Sequence, residues 1–395
     1  MGQGVGERGV VMTGSASEGG ADCEIVYLSV DPVTSSVGSS QVVAYVCRIA
    51  ERGFPVHLHS FEHEIDPNVA SNLERAGVRW TAHRYGSPGA RGGLSRVVRL
   101  AASLRGSDLV HARSDMAAAA ALLAGVDRWV WDVRSLWAEQ KIATGVFAAR
   151  SLQARIFRQI ERAAAHRADK VVTLTTEVID VLDARYGGVV KPKAMVVTTC
   201  VDRDRFRLAV PPSGKPLRVL LAGTLNRFYD VPSMLDLVHE LRSRRPTEFV
   251  VAAPGSTDWD EELDGAGAIR INVASGEMPG LVASCHLGLS VCRDDAGISL
   301  TAAMPTKIGE FLAVGRPVVV NPGLTDAAGM LESTATGIVY GSDSPNVALA
   351  VDRLLELVDD PATSLRAAQL AEQHFDLETG VDRLVRAYRS LMADG

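Results

Sequence analysis

Short apolar runs rich in β-branched residues alternate with longer amphipathic segments from about residue 24 to the end of the chain. The first two runs, EIVYLSV (24–30) and PVHLHSF (55–61), flank SQVVAYVCRIAERG (40–53), whose apolar positions recur at helical spacing. Such alternation is the pattern of parallel βαβ units. It predicts further strands at 77–83, 108–113, 129–133, 170–175 and 194–199, with helices at 94–104, 115–124, 148–168 and 177–186. A second series follows, with strands at 217–223, 247–254, 268–273, 287–292, 317–321 and 337–341. Its helices are predicted at 231–244, 278–285, 305–314, after Asp326, and at 345–358 and 363–374. Between the two series RLAVPPSGKP (207–216) mixes Pro, Gly and polar residues as a linker does. The strands are apolar on both faces, so helices should cover each sheet on two sides. A ligand is then expected in the crevice at the carboxyl ends of the strands, between two Rossmann-like halves.

Length and charge narrow this picture. At roughly 150 residues per domain, 395 residues correspond to two or three domains. The linker at 208–216 makes it two, 21–207 and 217–374. The first twenty residues are rich in Gly and Ser without an apolar period and read as a disordered tail. Lys and Arg number 41 against 47 Asp and Glu, a net charge of -6 that argues against a nucleic-acid partner held by a basic global field. Any phosphate must be met locally. Cys23, Cys47, Cys200, Cys285 and Cys292 are odd in number and widely spaced, so neither a disulfide framework nor a zinc site is expected. No metal or other cofactor is called for. A reducing compartment, no apolar window of about 18 residues and no apolar stretch in the first twenty lead to the expectation of a cytoplasmic protein.

Two loops could hold a phosphate. DPVTSSVGSSQVV (31–43) places Gly38, Ser39 and Ser40 before a helix, where free backbone N–H groups and the helix dipole favour an anion. The plainer alternative is that Ser39 or Ser40 caps a helix beginning at Gln41. Neither G-x-G-x-x-G nor G-x-x-x-x-G-K-[ST] occurs, so a nicotinamide dehydrogenase or P-loop NTPase lacks its main support. In the second loop Pro305 suits a first helical turn, and Thr306 and Lys307 follow where N–H groups are unpaired. Lys307 could contact a diphosphate, a charge-assisted bond worth about 1.5–3 kcal/mol, and Glu310 could accept from a vicinal diol such as ribose. As an exposed i,i+3 pair they would matter little. Their place after LGLSVC (287–292), on the edge of the crevice, favours function.

PTKIGEFLAVGRPVVV (305–320), VVTLTTEVIDVL (171–182) and VVTTCVDRDRF (196–206) resemble the retaining family-4 glycosyltransferases of GT-B fold. The pieces at 31–62, LVHARSD (109–115) and VWDVRSLWAEQ (130–140) look like the subgroup of bacterial polysaccharide and specialised-metabolite biosynthesis. The resemblance implies an acceptor-side first domain, a nucleotide-sugar-binding second domain and a last helix, 375–395, crossing back to the first. It implies a nucleoside-diphosphate-sugar donor, a UDP-sugar foremost, and a glycan or small-molecule acceptor. Glu310 matches the ribose-binding second Glu of the family's Glu-x7-Glu motif, while Ala302 stands where the first is usual. Met304 and Pro305 to Lys307 would line the diphosphate. In GTLNRFYDV (223–231) Gly223 is followed by Thr224 where the family has an Arg, and Arg227 is the candidate for the missing charge. Arg113 and Arg134 stand where family members carry a His. An Arg cannot act as a base but can clamp a phosphate or carboxylate.

The resemblance also implies that the departing diphosphate takes the acceptor's proton, so that Arg134, Lys307 and Arg227 stabilise charge rather than move protons. Ser39, Arg113, Asp115, Trp137 and Glu139 are the acceptor-side candidates. Against them stand an N-cap for Asp115, a core ring for Trp137 and a solvated helix position for Glu139. His111 reads more readily as a core histidine than as a ligand contact. The basic helix at 95–106, with Arg96, Arg99 and Arg105, offers a weak peripheral contact to an anionic membrane, although a solvated face is the commoner outcome. A GT-B-shaped sugar-nucleotide epimerase is the rival reading, and a two-lobed solute-binding protein a poorer third.

Overall fold

The computed structural model describes residues 10–12, 23–214, 216–344 and 346–393. Its first sheet comprises β1 (Val10–Met12), β2 (Ile25–Ser29), β3 (Val56–Glu62), β4 (Arg79–Arg84), β5 (Leu109–Arg113), β6 (Trp129–Val133), β7 (Lys170–Thr173) and β8 (Ala194–Val196). The strand order is β1-β4-β3-β2-β5-β6-β7-β8. The second sheet holds β9 (Leu217–Ala222), β10 (Thr247–Ala252), β11 (Ile269–Arg270), β12 (Leu287–Ser290), β13 (Val318–Val320) and β14 (Gly337–Val339), ordered β11-β10-β9-β12-β13-β14. Pairing is parallel throughout except that β1 runs antiparallel on β4. In both sheets the winding reverses beside the first parallel strand, between β2 and β5 and between β9 and β12. Those are the switch points at which an open α/β sheet offers a crevice.

Several expectations need adjustment. β1 lies inside the stretch expected to be a structureless tail, where the apolar VVM pairs with the edge of β4. The rest of 1–20 lies outside the described residues. The strand expected at 268–273 keeps two residues; after Ile271 donates to Val251 O (3.0 Å) the chain leaves the ladder and turns into the cleft. The helix Pro67–Arg75, capped by Asp66 and opened by Pro67, lies outside the expected elements. Short helices at Trp137–Ala143 and Asp260–Gly265 were also missed, too brief to show a period.

Burial on both sheet faces follows from the apolar strands. Gly288 in β12 lets the Phe311 ring lie against the strand, where a Cβ would come within 2.3 Å of it. The helix Thr306–Ala313 is thereby seated on the sheet with its first turn at the crevice. The linker is pinned to the second domain by buried Arg316, whose guanidinium donates to the carbonyls of Cys285 (2.7 Å), Ala209 (3.0 Å) and Val210 (3.1 Å).

The chain crosses between domains twice, side by side. Val201 N donates to Phe375 O (2.6 Å) and Leu377 N to Val201 O (3.2 Å). Val201 and Phe206 already pack into the second domain's core, so the packing boundary falls earlier than residue 207. After the second crossing the helix Leu377–Ala393 lies on the first domain, with Val381, Leu384 and Tyr388 packed among Val46, Ile49 and Phe54.

Candidate active site

On the first-domain side Glu62, buried at the end of β3, accepts from Val33 N (2.9 Å), Thr34 N (3.3 Å) and Thr34 Oγ1 (2.8 Å). This carboxylate fixes the loop that leads from β2 into the next helix. That helix starts earlier than expected: Ser36–Gly38, a π-turn at Ser39–Val43 and Ala44–Glu51 are continuous. Its cap is Ser35, whose Oγ takes the Gly38 N–H (3.0 Å), while the Ser39 N–H goes to Ser35 O (2.8 Å). Gly38 and Ser39 therefore have no free N–H for an anion. Gly38 serves close packing, because a Cβ there would stand 2.2 Å from Pro32 O. Ser36, Val37 and Ser40 line the cleft instead.

Across the cleft Gly223 leaves β9 at φ +97, a conformation open to glycine. A Cβ on it would be 3.7 Å from Lys307 Nζ, so the loop passes directly over this amine. Lys307 is 6 % exposed, its Nζ has no hydrogen-bond partner, and the Tyr229 ring centroid is 4.0 Å away. Burial pushes Lys307 down to about 8, against the pull of Cys292 and Glu310. One turn on, burial pushes Glu310 up to about 7, with Lys307 and Arg205 drawing it back. A buried amine without an acceptor and a carboxyl held near neutrality are groups poised for a partner. Thr224 and Thr306 line the same hollow. Pro305 precedes the helix as its cap residue, and Met304 O is held from the first domain by Thr199 Oγ1 (3.0 Å).

The hollow continues toward the first domain, where Arg113, Arg134, Gln41 and Lys141 line it. Arg134 donates from Nη1 to Asp132 Oδ1 (3.3 Å) and from Nη2 to Gln41 Oε1 (3.4 Å). Gln41 in turn donates to Cys200 O (2.9 Å) at the interdomain crossing. Burial works to raise Asp132, but Arg134, His111 and Arg113 outweigh it and hold the carboxyl at about 2. His111 Nε2 lies 3.2 Å from Asp132 Oδ2 and Nδ1 lies 2.7 Å from Tyr388 Oη. With a carboxylate as acceptor, Nε2 carries the proton and Nδ1 accepts from the tyrosine. Stacked on Tyr27 at 4.3 Å, His111 is a core residue that steadies Asp132 and, through it, Arg134.

Four other candidates fall outside the cleft. Arg227 is exposed, with Nε 3.4 Å from Asp258, and its neighbour Asn226 lines the cleft in its place. Asp115 is buried in the core; burial and the nearby Glu161 push its carboxyl well above the usual carboxylate range, with Trp131 drawing it back. Glu139 takes two bonds from Arg158, from Nε (3.1 Å) and Nη2 (3.0 Å). Trp137 packs on Phe157 (4.0 Å) and Phe147 (5.5 Å), and reaches the cleft only through Lys141, whose Nζ is 5.2 Å from its ring. In the basic helix, Arg96 turns inward to Tyr85 O (3.1 Å), while Leu94 and Val98 face out. The reading also missed Gln41, Asn226, Tyr229, Lys141 and Arg205. Gln41, Asn226, Tyr229 and Arg205 lie inside segments already singled out, while Lys141 has no local signal.

Residues 38–205 match the family model described as Glycosyltransferase Family 4. That segment, less than half of the chain, is similar to the family-4 glycosyltransferases. No curated protein matches the sequence significantly. Solved structures similar in fold include sucrose-phosphate synthase from Thermosynechococcus elongatus, with TM-score 0.67, 14% identity, and 94% of this chain and 100% of that one covered. HepE of Anabaena in complex with UDP-glucose gives 0.65 at 15% identity, covering 93% and 99%. A putative UDP-N-acetylglucosamine 2-epimerase from Listeria monocytogenes gives 0.63 at 13%, covering 95% and 98%. The chain shares their GT-B architecture, two parallel-sheet domains facing across a cleft. No helix among its described residues is long and apolar enough to cross a membrane.

Proposed function

We propose that this glycosyltransferase moves a sugar from a nucleoside-diphosphate sugar, a UDP-sugar foremost, to a hydroxyl of a glycan or small-molecule acceptor. The observation that carries the reading is Lys307, a buried amine without an acceptor at the start of a helix, one turn from a carboxyl held near neutrality. Lys307 and the helix N-terminus at Thr306 would neutralise the diphosphate, needing no metal ion, and Glu310 would accept from the ribose hydroxyls. Charge on the leaving diphosphate grows as the glycosidic bond breaks, so Lys307 would favour the transition state over the ground state.

Retention fits the same arrangement. No carboxylate lines the first-domain half of the cleft among the described residues, so the acceptor's proton would pass to the departing diphosphate on the side of attack. An epimerase would need acid and base groups in the crevice, where Glu310 is the sole carboxylate lining either half among the described residues. A cytoplasmic location is proposed with this function, on the cysteine pattern alone.

Calorimetric titration with UDP and assay of UDP release test the reading. Glu310→Ala should weaken UDP binding by about tenfold, the loss of one to two hydrogen bonds to a charged acceptor. Lys307→Ala should cut turnover more than donor affinity. Unchanged binding and turnover in both variants would remove the site assignment, and consumption of nucleotide sugar without release of nucleoside diphosphate would favour the epimerase.

A further inference from the structure

The first-domain half of the cleft is unusual in its charge. Arg113, Arg134 and Lys141 line it together with the apolar Leu174 and Met304, and no Asp or Glu is among its lining residues as far as the chain is described. In a chain of net charge -6, three cations gathered on one hollow call for a compensating partner. Protein groups supply only part of it.

Arg134 is paired with Asp132 behind it at 3.3 Å. Arg113 is 7 % exposed; the carboxylate paired with it, that of exposed Asp31, stands 3.7 Å from Nη1, and its buried Nε has no hydrogen-bond partner among the described residues. Lys141 has a ring contact with Trp137 and no carboxylate partner among the described residues. Glu139 could have served it but is taken by Arg158 and, at 3.7 Å, Arg185. Position 302, where the family resemblance would put a carboxylate, is an alanine 1 % exposed and packed in the first domain's core. The two halves of the cleft adjoin, sharing Val37, Asn226, Tyr229 and Thr306 as lining. A group held at Arg113 and Lys141 would therefore lie beside a donor held at Lys307.

We propose that the acceptor carries a negative charge, a phosphate or a carboxylate, and that Arg113 and Lys141 bind it while its uncharged body rests on Leu174 and Met304. The inference rests on the glycosyltransferase reading only in calling this ligand the acceptor. The anion is a handle and does not react: the donor's anomeric carbon–oxygen bond breaks, the acceptor oxygen forms the new one, and its proton leaves with the diphosphate. Arg113 suits this task because its planar fork matches carboxylate and phosphate oxygens.

The test uses the full chain, alone and saturated with UDP, titrated with glucose, glucose 6-phosphate and inorganic phosphate while thermal stability is followed. Glucose 6-phosphate and phosphate should raise the melting temperature of the UDP-saturated protein, and glucose should not. Lys141→Gln, a change at a half-exposed position, should weaken the anion response at least fivefold. Adding Arg113→Gln should abolish it, with UDP affinity unchanged within twofold. An anion response no greater than that of glucose, including no response to either, would overturn the proposal. So would loss of UDP affinity in Lys141→Gln, which would assign the cations to the donor diphosphate. If UDP itself fails to stabilise the wild-type chain, the donor reading falls, while the anion titrations without UDP still decide whether the charged hollow selects anions.

Discussion

Lys307 and Glu310 depart from their ordinary protonation in opposite directions, and each departure has a pH window. Folded Glu310 holds its proton up to about 7 and Lys307 loses its own near 8. Between about 4.5 and 7 the folded chain binds the extra proton at Glu310, so this group makes stability fall as pH rises. Between about 8 and 10.5 the unfolded chain binds more protons at Lys307, so that contribution to stability falls as pH drops through the window. A donor needs the carboxylate and the ammonium together. Binding of UDP-glucose, whose diphosphate does not titrate here, should be tightest between pH 7 and 8 and weaken by about tenfold at pH 6. Calorimetry at pH 6, 7.5 and 9 checks this, and Glu310→Gln should flatten the acid side. Gly223→Ala should destabilise the chain by about 1–2 kcal/mol, because φ +97 suits no residue with a Cβ, and should weaken donor binding by crowding Lys307; denaturant melts and UDP titration separate the two effects.

At the level of elements, the thirteen expected parallel strands all formed, since β-branched runs between helical periods identify a strand whatever its neighbours do. Ends were less legible. The helix expected at Gln41 begins at Ser36 because Ser35, not Ser39 or Ser40, reaches the free N–H. Lys307 and Glu310 could be singled out because a helix start after a strand is a local signal. Arg227 could not be ruled out in the same way, since only the fold sets it beside Asp258 rather than Lys307. Asp115 and Glu139 misled for a related reason: the arginines and acids that claim Glu139 or crowd Asp115 come from the helices Leu152–Arg167 and Thr176–Tyr186, remote in sequence. The helix Leu377–Ala393 reaches the site through Tyr388, His111 and Asp132. Tyr388→Phe should cost about 1 kcal/mol of stability, one buried hydrogen bond, and lower kcat more than it changes the UDP affinity. Equal effects on both would mean that the contact serves folding alone.

Across the whole molecule the domains are fastened to each other near the cleft. Asp326 of the second domain accepts from the backbone of Thr176 (2.7 Å) and Glu177 (3.2 Å), capping a first-domain helix across the interface. Such a carboxylate at a helix start contributes about 1 kcal/mol. Asp326→Ala should loosen domain docking, raising the radius of gyration by X-ray scattering without ligand and leaving UDP affinity within twofold. An unchanged radius would show that Thr175 and Thr199, which donate to Thr301 O and Met304 O, hold the domains without it.

The paired crossings at Val201 and Phe375 also bear on how the chain is made. Residues 377–393 complete a core whose other members lie between 23 and 200, so of the two domains the one made earlier is finished after the other. Domains usually fold in order of synthesis; here Tyr27, Val46, Ile49 and Phe54 must wait, uncovered, until residues 377–393 have been made. A chain stopped at residue 206 should aggregate during expression, and a peptide spanning 376–393, supplied separately, should restore its solubility.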